Sequence, residues 1–294
     1  MPISFRYFLY LVFVKGDIVH VHTPNPLACL ALLFNPFSKK VIITHHADTI
    51  KKGILGFITK PITNKMYEKA DCIVATSVNY FNSSCELNNY KNKTQIIPIG
   101  IANNKFDNLV RKLKKPYKVL SVGRFVEYKG FEYLLEAISR LDEFELDLVG
   151  EGHLLNVLRE KYACSRIRFH GNVSEEKKMQ LYAEASIFCL PSINRAEAYG
   201  VVILEAMQAA LPLVTTDIGT GTSYLNIDKL TGFVISPRNV QQIIDALKKI
   251  VATESQYESY AKSSRERYIN NFTLDKMSSH YTKMYSMLTS QRRI

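Results

Sequence analysis

Glu197 and Glu205 stand in the stretch EAYGVVILEAM with seven residues between them, one of them Gly200. The segment CLPSINRAEAYG leaves a strand-like run, crosses a loop and starts a helix near Gly200. The backbone N–H groups of Gly200, Val201 and Val202 are then free at a helix start, where the dipole favours phosphate. At about 1.5 Å of rise per residue, the two glutamate Cα atoms would lie roughly 10 Å apart. That is too far for an acid and a base acting on one atom. It suits two hydroxyl-bearing rings flanking a pyrophosphate, because carboxylates accept hydrogen bonds from sugar hydroxyls. One glutamate would hold a transferred sugar and the other a ribose. The plainer alternative is a charged rim on an ordinary buried helix.

Cations with matching chemistry precede this segment. VGRFVEYKG follows a strand directly and sets Arg124 and Lys129 at its carboxyl end or in the loop just after. A planar guanidinium fork and a compact ammonium suit a diphosphate; solvated surface charges are the plain alternative. LVGEGH ends another strand with Gly150 and Gly152, which would let a ligand approach the backbone closely. It is not a dinucleotide fingerprint, since GxGxxG is incomplete and wrongly spaced. His20 and His22, two apart on a strand, share a face. A zinc site with His46 would lack an identifiable fourth ligand, so no metal is expected.

These residues need a scaffold of alternating strands and helices. VLSVG (119–123), LDLVG (146–150), IRFHG (167–171), SIFCLPS (186–192), LPLVTT (211–216) and GFVIS (232–236) read as strands. FEYLLEAISRL, LLNVLREKYA, SEEKKMQLYAEA, VVILEAMQAA and NVQQIIDALKKIVA between them carry apolar residues at helical spacing. Ser174 reads as an N-cap, followed by two glutamates in the first turn. DIVHVH (17–22), VIITHH (41–46), CIVATS (72–77) and QIIPIG (95–100) give the first part of the chain the same alternation. The pattern predicts an α/β chain of two Rossmann-like, doubly wound lobes with a cleft between them. The expected divisions are residues 1–116, with a basic linker from Asn103 to Lys115, then 117–272, then a C-terminal helical segment, 273–294.

A chain of 294 residues with 47% hydrophobic and 22% charged residues has the composition of globular domains and excludes a disordered or fibrous chain. Five cysteines without CxxC spacing read as reduced, mostly buried thiols of a cytosolic protein. The run FRYFLYLVFV is too short for a membrane helix, which needs roughly 20 residues, and reads as a core or interface helix. Residues 1–116 carry a formal charge of +10 and the remainder +1. A basic half beside a neutral one suggests an anionic partner, and phosphorylated lipid or a membrane surface fits. Nucleic acid is not expected, because no basic and aromatic stacking motif appears. A merely solvated lysine-rich face is the plain reading.

From about Asp17 onward the chain resembles the family-4 glycosyltransferases, retaining enzymes of the GT-B fold. EAYGVVILEAM is similar to the family's Glu, seven residues, Glu signature, and SVGRFVEYKG to its phosphate-binding strand and loop. FHGNVSEEKKMQLYAEASIFCLPS and DIGTGTSYLNIDKLTGFVISP resemble further donor-lobe segments. The resemblance implies that Arg124 and Lys129 bind the diphosphate, Glu197 the donor sugar and Glu205 the ribose. It places the amides from Tyr199 to Val201 on phosphate and sugar. DIVHVHTPNPLA, VIITHHADTIKKG, IVATSVNYFNSS and QIIPIGI resemble a bacterial subgroup described as rhamnosyl- and mannosyltransferases of surface polysaccharides. There a His-Ser-Asp segment reaches the cleft, so HHAD implies that His46 and Asp48 reach it, with His46 near the donor sugar; a satisfied core histidine is the alternative for His46.

The family usually opens with a strand, a glycine-rich loop and a helix before the segment resembling DIVHVH, so the first lobe reads as shortened and incomplete. Ala210 stands where glycine is usual, with small packing effects expected, and Ala102 and Asn103 follow IPIGI where an aspartate is usual. The resemblance implies a hexosyltransferase using GDP-mannose or a UDP-sugar, without a cofactor. The implied acceptor is a polyprenyl-diphosphate-linked glycan, met in the cytoplasm at the inner face of the plasma membrane. A nucleotide-sugar epimerase of the same fold, or an inactive nucleotide-binding fragment, is the alternative.

Overall fold

The structure, a computed structural model, describes residues 5–49, 54–103, 106 and 112–290. The chain divides into two compact units, Met1–Pro98 with Lys276–Ile294, and Ile99–Asp275.

The first unit carries a parallel sheet of β1 (Gly16–Thr23), β2 (Ser38–His45), β3 (Cys72–Ala75) and β4 (Thr94–Ile96), in that spatial order. Alternation along β2 and β3 sends Val41, Ile43, Ile73 and Ala75 to one buried cluster and Ile42, Cys72 and Val74 to another. The second cluster is closed by the C-terminal helix Leu274–Ser290, whose Met277, Tyr281, Met284, Tyr285 and Leu288 lie against it. Of the two readings of the helix Phe5–Phe13, core or interface, the structure does not bear out the first. The helix has no buried residue, and Phe5 and Phe13 are 71% and 62% exposed. Only Leu11 of this helix meets the unit's core.

The second unit holds a six-stranded parallel sheet. Its strands are β5 (Tyr117–Val122), β6 (Phe144–Val149), β7 (Ile167–Gly171), β8 (Ile187–Leu190), β9 (Leu213–Thr216) and β10 (Gly232–Ile235), in spatial order β10-β9-β8-β5-β6-β7. Helices cover both faces, so β8 and β9 are buried throughout and read as unbroken apolar or threonine runs. Val119, Ile187 and Cys189 face one core, and Leu120, Phe188 and Leu190 the other. The helix Glu175–Glu184 starts as its sequence suggests, with Ser174 Oγ accepting from Lys177 N–H at 3.2 Å.

The chain passes between units at Pro98, earlier than the basic stretch suggested. Ile101 N–H donates to Phe272 carbonyl at 3.0 Å, and Leu274 N–H to Ile101 carbonyl at 2.8 Å. Ile99 and Ile101 also pack on the second unit's core. Much of the expected linker, residues 104, 105 and 107–111, lies outside the described residues. All five cysteines are free, with Cys29, Cys72 and Cys189 buried and Cys85 and Cys164 exposed.

Ala210 has φ +53°, so the consequence of alanine there is backbone strain and not the small packing effect expected. The left-handed conformation costs an L-residue roughly 1–2 kcal/mol, partly offset by glycine's greater unfolded entropy. Ala210→Gly is expected to stabilise the unit by about 0.5–1 kcal/mol. In a thermal melt the midpoint should rise by roughly 1–4 °C, and a fall would contradict the strain.

Candidate active site

All strands of the six-stranded sheet are parallel, so their carboxyl ends share one edge. The chain leaves β5 toward β6 and β7, then returns to the other side of β5 for β8, β9 and β10. The loops after β5 and β8 therefore diverge from neighbouring strands, the arrangement that opens a ligand crevice in such sheets.

Glycine brings those two loops into contact. Gly130 has φ +66°, and a Cβ there would lie 2.3 Å from the Pro191 carbonyl oxygen. Ile193 N–H donates to Tyr128 carbonyl at 2.8 Å, joining the loops directly. Between them Lys129 is folded inward, its stem filling the space a side chain on Gly123 would need, with Cε 3.0 Å from that Cβ position. Lys129 Nζ lies 2.5 Å from Glu197 Oε2, and Ser192 Oγ donates to the same oxygen at 3.0 Å. Thr220 Oγ1, from the loop after β9, donates to the Glu197 carbonyl at 2.7 Å. Phe125 anchors the β5 loop in the core, its N–H donating to Glu151 carbonyl at 2.8 Å. Arg124 is exposed beside this neutral pair and donates to Tyr128 Oη at 3.2 Å. Among the described residues no carboxylate reaches it at ion-pair distance. Its charge is therefore available to an anion.

The loop after β8 runs into the helix Val201–Gln208 through Gly200, whose φ of +84° makes the left-handed entry. Among the described residues no acceptor meets the N–H groups of Gly200, Val201 or Val202. Tyr199 is buried and donates through Oη to Ile99 carbonyl at 3.2 Å, so its backbone and not its ring is the part left for a ligand. Burial pushes its phenol well above the ordinary range. Gly221 packs on the Tyr199 backbone, where a Cβ would come within 2.6 Å of its Cα.

Glu205 belongs to a different cluster from Glu197. Its Oε1 accepts from Lys178 Nζ at 2.9 Å and its Oε2 from Tyr182 Oη at 2.9 Å. At Gly150 and Gly152 the missing side chain makes room for a neighbouring stretch of backbone. The space at Gly150 is taken by the Gly123 carbonyl, 2.0 Å from the Cβ position, and that at Gly152 by the Phe125 carbonyl, at 2.4 Å. Both glycines serve chain-on-chain packing under the β5 loop. Ser192, Lys178 and Tyr182 were not singled out from sequence, and no spacing rule marks them.

In the first unit His46 follows the end of β2 and stacks on His22, with ring centroids 5.1 Å apart and Nε2 2.8 Å from His22 Nδ1. His20 stacks on His22 from the other side at 4.7 Å. Burial first, then the neighbouring imidazoles, lowers His20 and His46 to about 4, so both are neutral at neutral pH. Both ring nitrogens of His20 are engaged, with Tyr285 Oη and Thr44 Oγ1 at 2.7 Å each. Asp48 Oδ1 lies 3.2 Å from Nε2 of fully buried His45, whose Nδ1 lies 2.6 Å from Tyr67 Oη. Strand alternation turns His45 into the core and leaves His46 half-buried. His45, Asp48 and Glu86 bring potential metal-ligating atoms within 4.8 Å of one another. His45 Nδ1 is also 4.0 Å from Glu86, so its two nitrogens face different carboxylates.

Residues 103–267 match the family model described as glycosyl transferases group 1, and residues 3–105 match that of glycosyltransferase family 4. The chain is 31% identical over 285 residues to the O-antigen chain mannosyltransferase C of Escherichia coli, covering 94% of this chain and 76% of that protein. It is 31% identical over 270 residues to the D-rhamnosyltransferase WbpZ of Pseudomonas aeruginosa, covering 88% and 70%. The Anabaena HepE structure, solved with UDP, superposes with a TM-score of 0.78 at 16% identity, covering 92% of this chain and 79% of that one. The two α/β units thus have the GT-B fold.

Proposed function

The chain belongs to the group 1 glycosyl transferases, and from that membership we propose that it moves a mannose-like hexose from a nucleoside diphosphate sugar to a lipid-linked glycan, with retention. The observation that carries the donor assignment is the buried Lys129–Glu197 pair with uncompensated Arg124 on the same loop, at the switch point of the second sheet. Arg124, the remaining protons of Lys129 and the amides from Tyr199 to Val201 would hold the diphosphate as negative charge grows on it. Glu197 would accept from the donor sugar and Glu205 from the ribose. The bond from the anomeric carbon to the diphosphate breaks while the acceptor oxygen bonds the same carbon from the same face. The acceptor's proton passes to the departing diphosphate, so no protein nucleophile is required, unlike the paired carboxylates of glycoside hydrolases. His46 would sit by the donor sugar as a neutral imidazole.

In this reading the donor is a substrate, GDP-mannose or a UDP-sugar, and the reaction takes no cofactor. The named functions of the mannosyl- and rhamnosyltransferase relatives support a glycan acceptor, and the +10 charge of residues 1–116 supports work at an anionic membrane face. Among the described residues no helix is long and apolar enough to cross a membrane.

A thermal-shift and calorimetry panel of GDP, UDP and their sugars tests the donor. Arg124→Ala is expected to weaken the bound nucleotide by about 1.5–3 kcal/mol, roughly 10- to 150-fold, the range for hydrogen bonds to charged groups. Because Arg124 is exposed, the melting temperature without nucleotide should not change. Undiminished affinity would defeat the phosphate assignment. Release of free nucleoside diphosphate with a glycosylated lipid, and no epimerised sugar, tests the transfer itself.

A further inference from the structure

Glu205 is gripped from two sides by one neighbouring helix. Lys178 and Tyr182 lie four residues apart on Glu175–Glu184, so both leave the same face of that helix. Lys178 Nζ donates to Oε1 and Tyr182 Oη to Oε2, each at 2.9 Å. The Tyr182 hydroxyl also lies 3.2 Å from the Val202 carbonyl. It has a single proton, and the shorter, charge-assisted bond to the carboxylate is the stronger claim on it. The Tyr182 ring is fully buried beside Phe188, with centroids 5.9 Å apart, so the hydroxyl is fixed in place. Burial works against the Lys178 ammonium, yet its bonds to Glu205 and to Glu175, 3.0 Å away, raise its pKa overall.

Each carboxylate oxygen accepts about two hydrogen bonds. With one position on each oxygen filled by the protein, one on each remains. Two parallel acceptors at the spacing of a carboxylate suit the two hydroxyls of a vicinal diol. The ammonium of Lys178 also offsets the negative charge of Glu205, which otherwise would repel a diphosphate bound nearby. We propose that Lys178 and Tyr182 are positioning residues that make Glu205 a fixed two-oxygen acceptor for the ribose diol of the donor nucleoside. This rests on the nucleotide-sugar function proposed above.

Calorimetry with GDP, 2′-deoxy-GDP, UDP and 2′-deoxy-UDP tests it. The wild type should bind one ribonucleotide about tenfold or more tighter than its deoxy counterpart, as for a lost hydrogen bond to a charged group. Lys178→Met and Tyr182→Phe should each reduce that preference to about threefold or less, with the deoxy affinity within about twofold of wild type. A merely structural role would instead lower both affinities together. Lys178→Arg, which keeps the cationic donor, should restore most of the preference. Should Lys178→Met fail to fold, Tyr182→Phe, which removes one oxygen, carries the test. An undiminished ribose preference in Tyr182→Phe and in folded Lys178→Met, or an equal loss for both nucleotides, overturns the positioning role while leaving donor binding intact. Failure of the wild type to bind any of the four removes the donor reading, and this role with it.

Discussion

Lys129→Ala is expected to destabilise the second unit by about 3–5 kcal/mol, the usual result of removing one partner from a buried ion pair. The side chains of Lys129 and Glu197 are only 8% and 10% exposed. Without the ammonium, Glu197 keeps the Ser192 hydroxyl as its side-chain donor and has little water to replace the lost charge. The emptied stem also leaves a void beneath Gly123, where Lys129 carbons pack. A melt should show the midpoint falling by roughly 6–20 °C. The pair's Coulomb attraction is largely cancelled by the cost of desolvating both ions, so replacing both by apolar residues of similar volume is often neutral. Lys129→Met combined with Glu197→Leu should therefore regain most of the stability while donor binding stays weak. This separates the residue's structural contribution from its contact with the diphosphate, which Lys129→Ala alone confounds. An unchanged midpoint in Lys129→Ala would mean that water reaches Glu197, and the pair would then be an exposed one of small energy.

The strands were legible in sequence because a parallel sheet covered on both faces demands continuous apolar runs, and IFCL in β8 or VLSV in β5 can do little else. The helix Val240–Ile250 was legible because Ile243, Ile244, Leu247 and Ile250 recur on one buried face. The types of the phosphate-seeking residues were legible too, but their pairing was not. Lys129 and Glu197 are 68 residues apart, and they meet because β8 returns to lie beside β5. Strand order is a property of the whole sheet, so local periodicity carries no trace of it. The same limit hid Lys178 and Tyr182, which look like any charged and aromatic residue of an amphipathic helix. In HHAD the sequence does not say which of the two adjacent histidines turns into the core, so the contact of His45 with Asp48 was not legible. At Gly150 the need for a glycine was legible, but not what crowds it.

Gly150→Ala is the second large effect, expected at about 2–6 kcal/mol from strain and overpacking together. Its φ of +133° is a conformation L-residues rarely adopt, and the new methyl carbon would lie 2.0 Å from the Gly123 carbonyl oxygen. Neither strand end can yield easily. Gly150 N–H is bonded to Gly171 carbonyl at 2.8 Å, and Gly123 N–H to Val149 carbonyl at 2.9 Å. Relief requires β5 and β6 to part at their carboxyl ends, which would move the loop carrying Arg124. Weaker nucleotide binding should therefore accompany the lower melting point. Gly171→Ala is the control, because its φ is +64° but nothing lies within 4 Å of the added carbon. It should cost only the left-handed term, about 1–2 kcal/mol, and leave nucleotide affinity unaltered. Equal effects at the two positions would mean that backbone conformation alone is responsible. The contact between the strand ends would then have no part in holding the β5 loop where a diphosphate needs it.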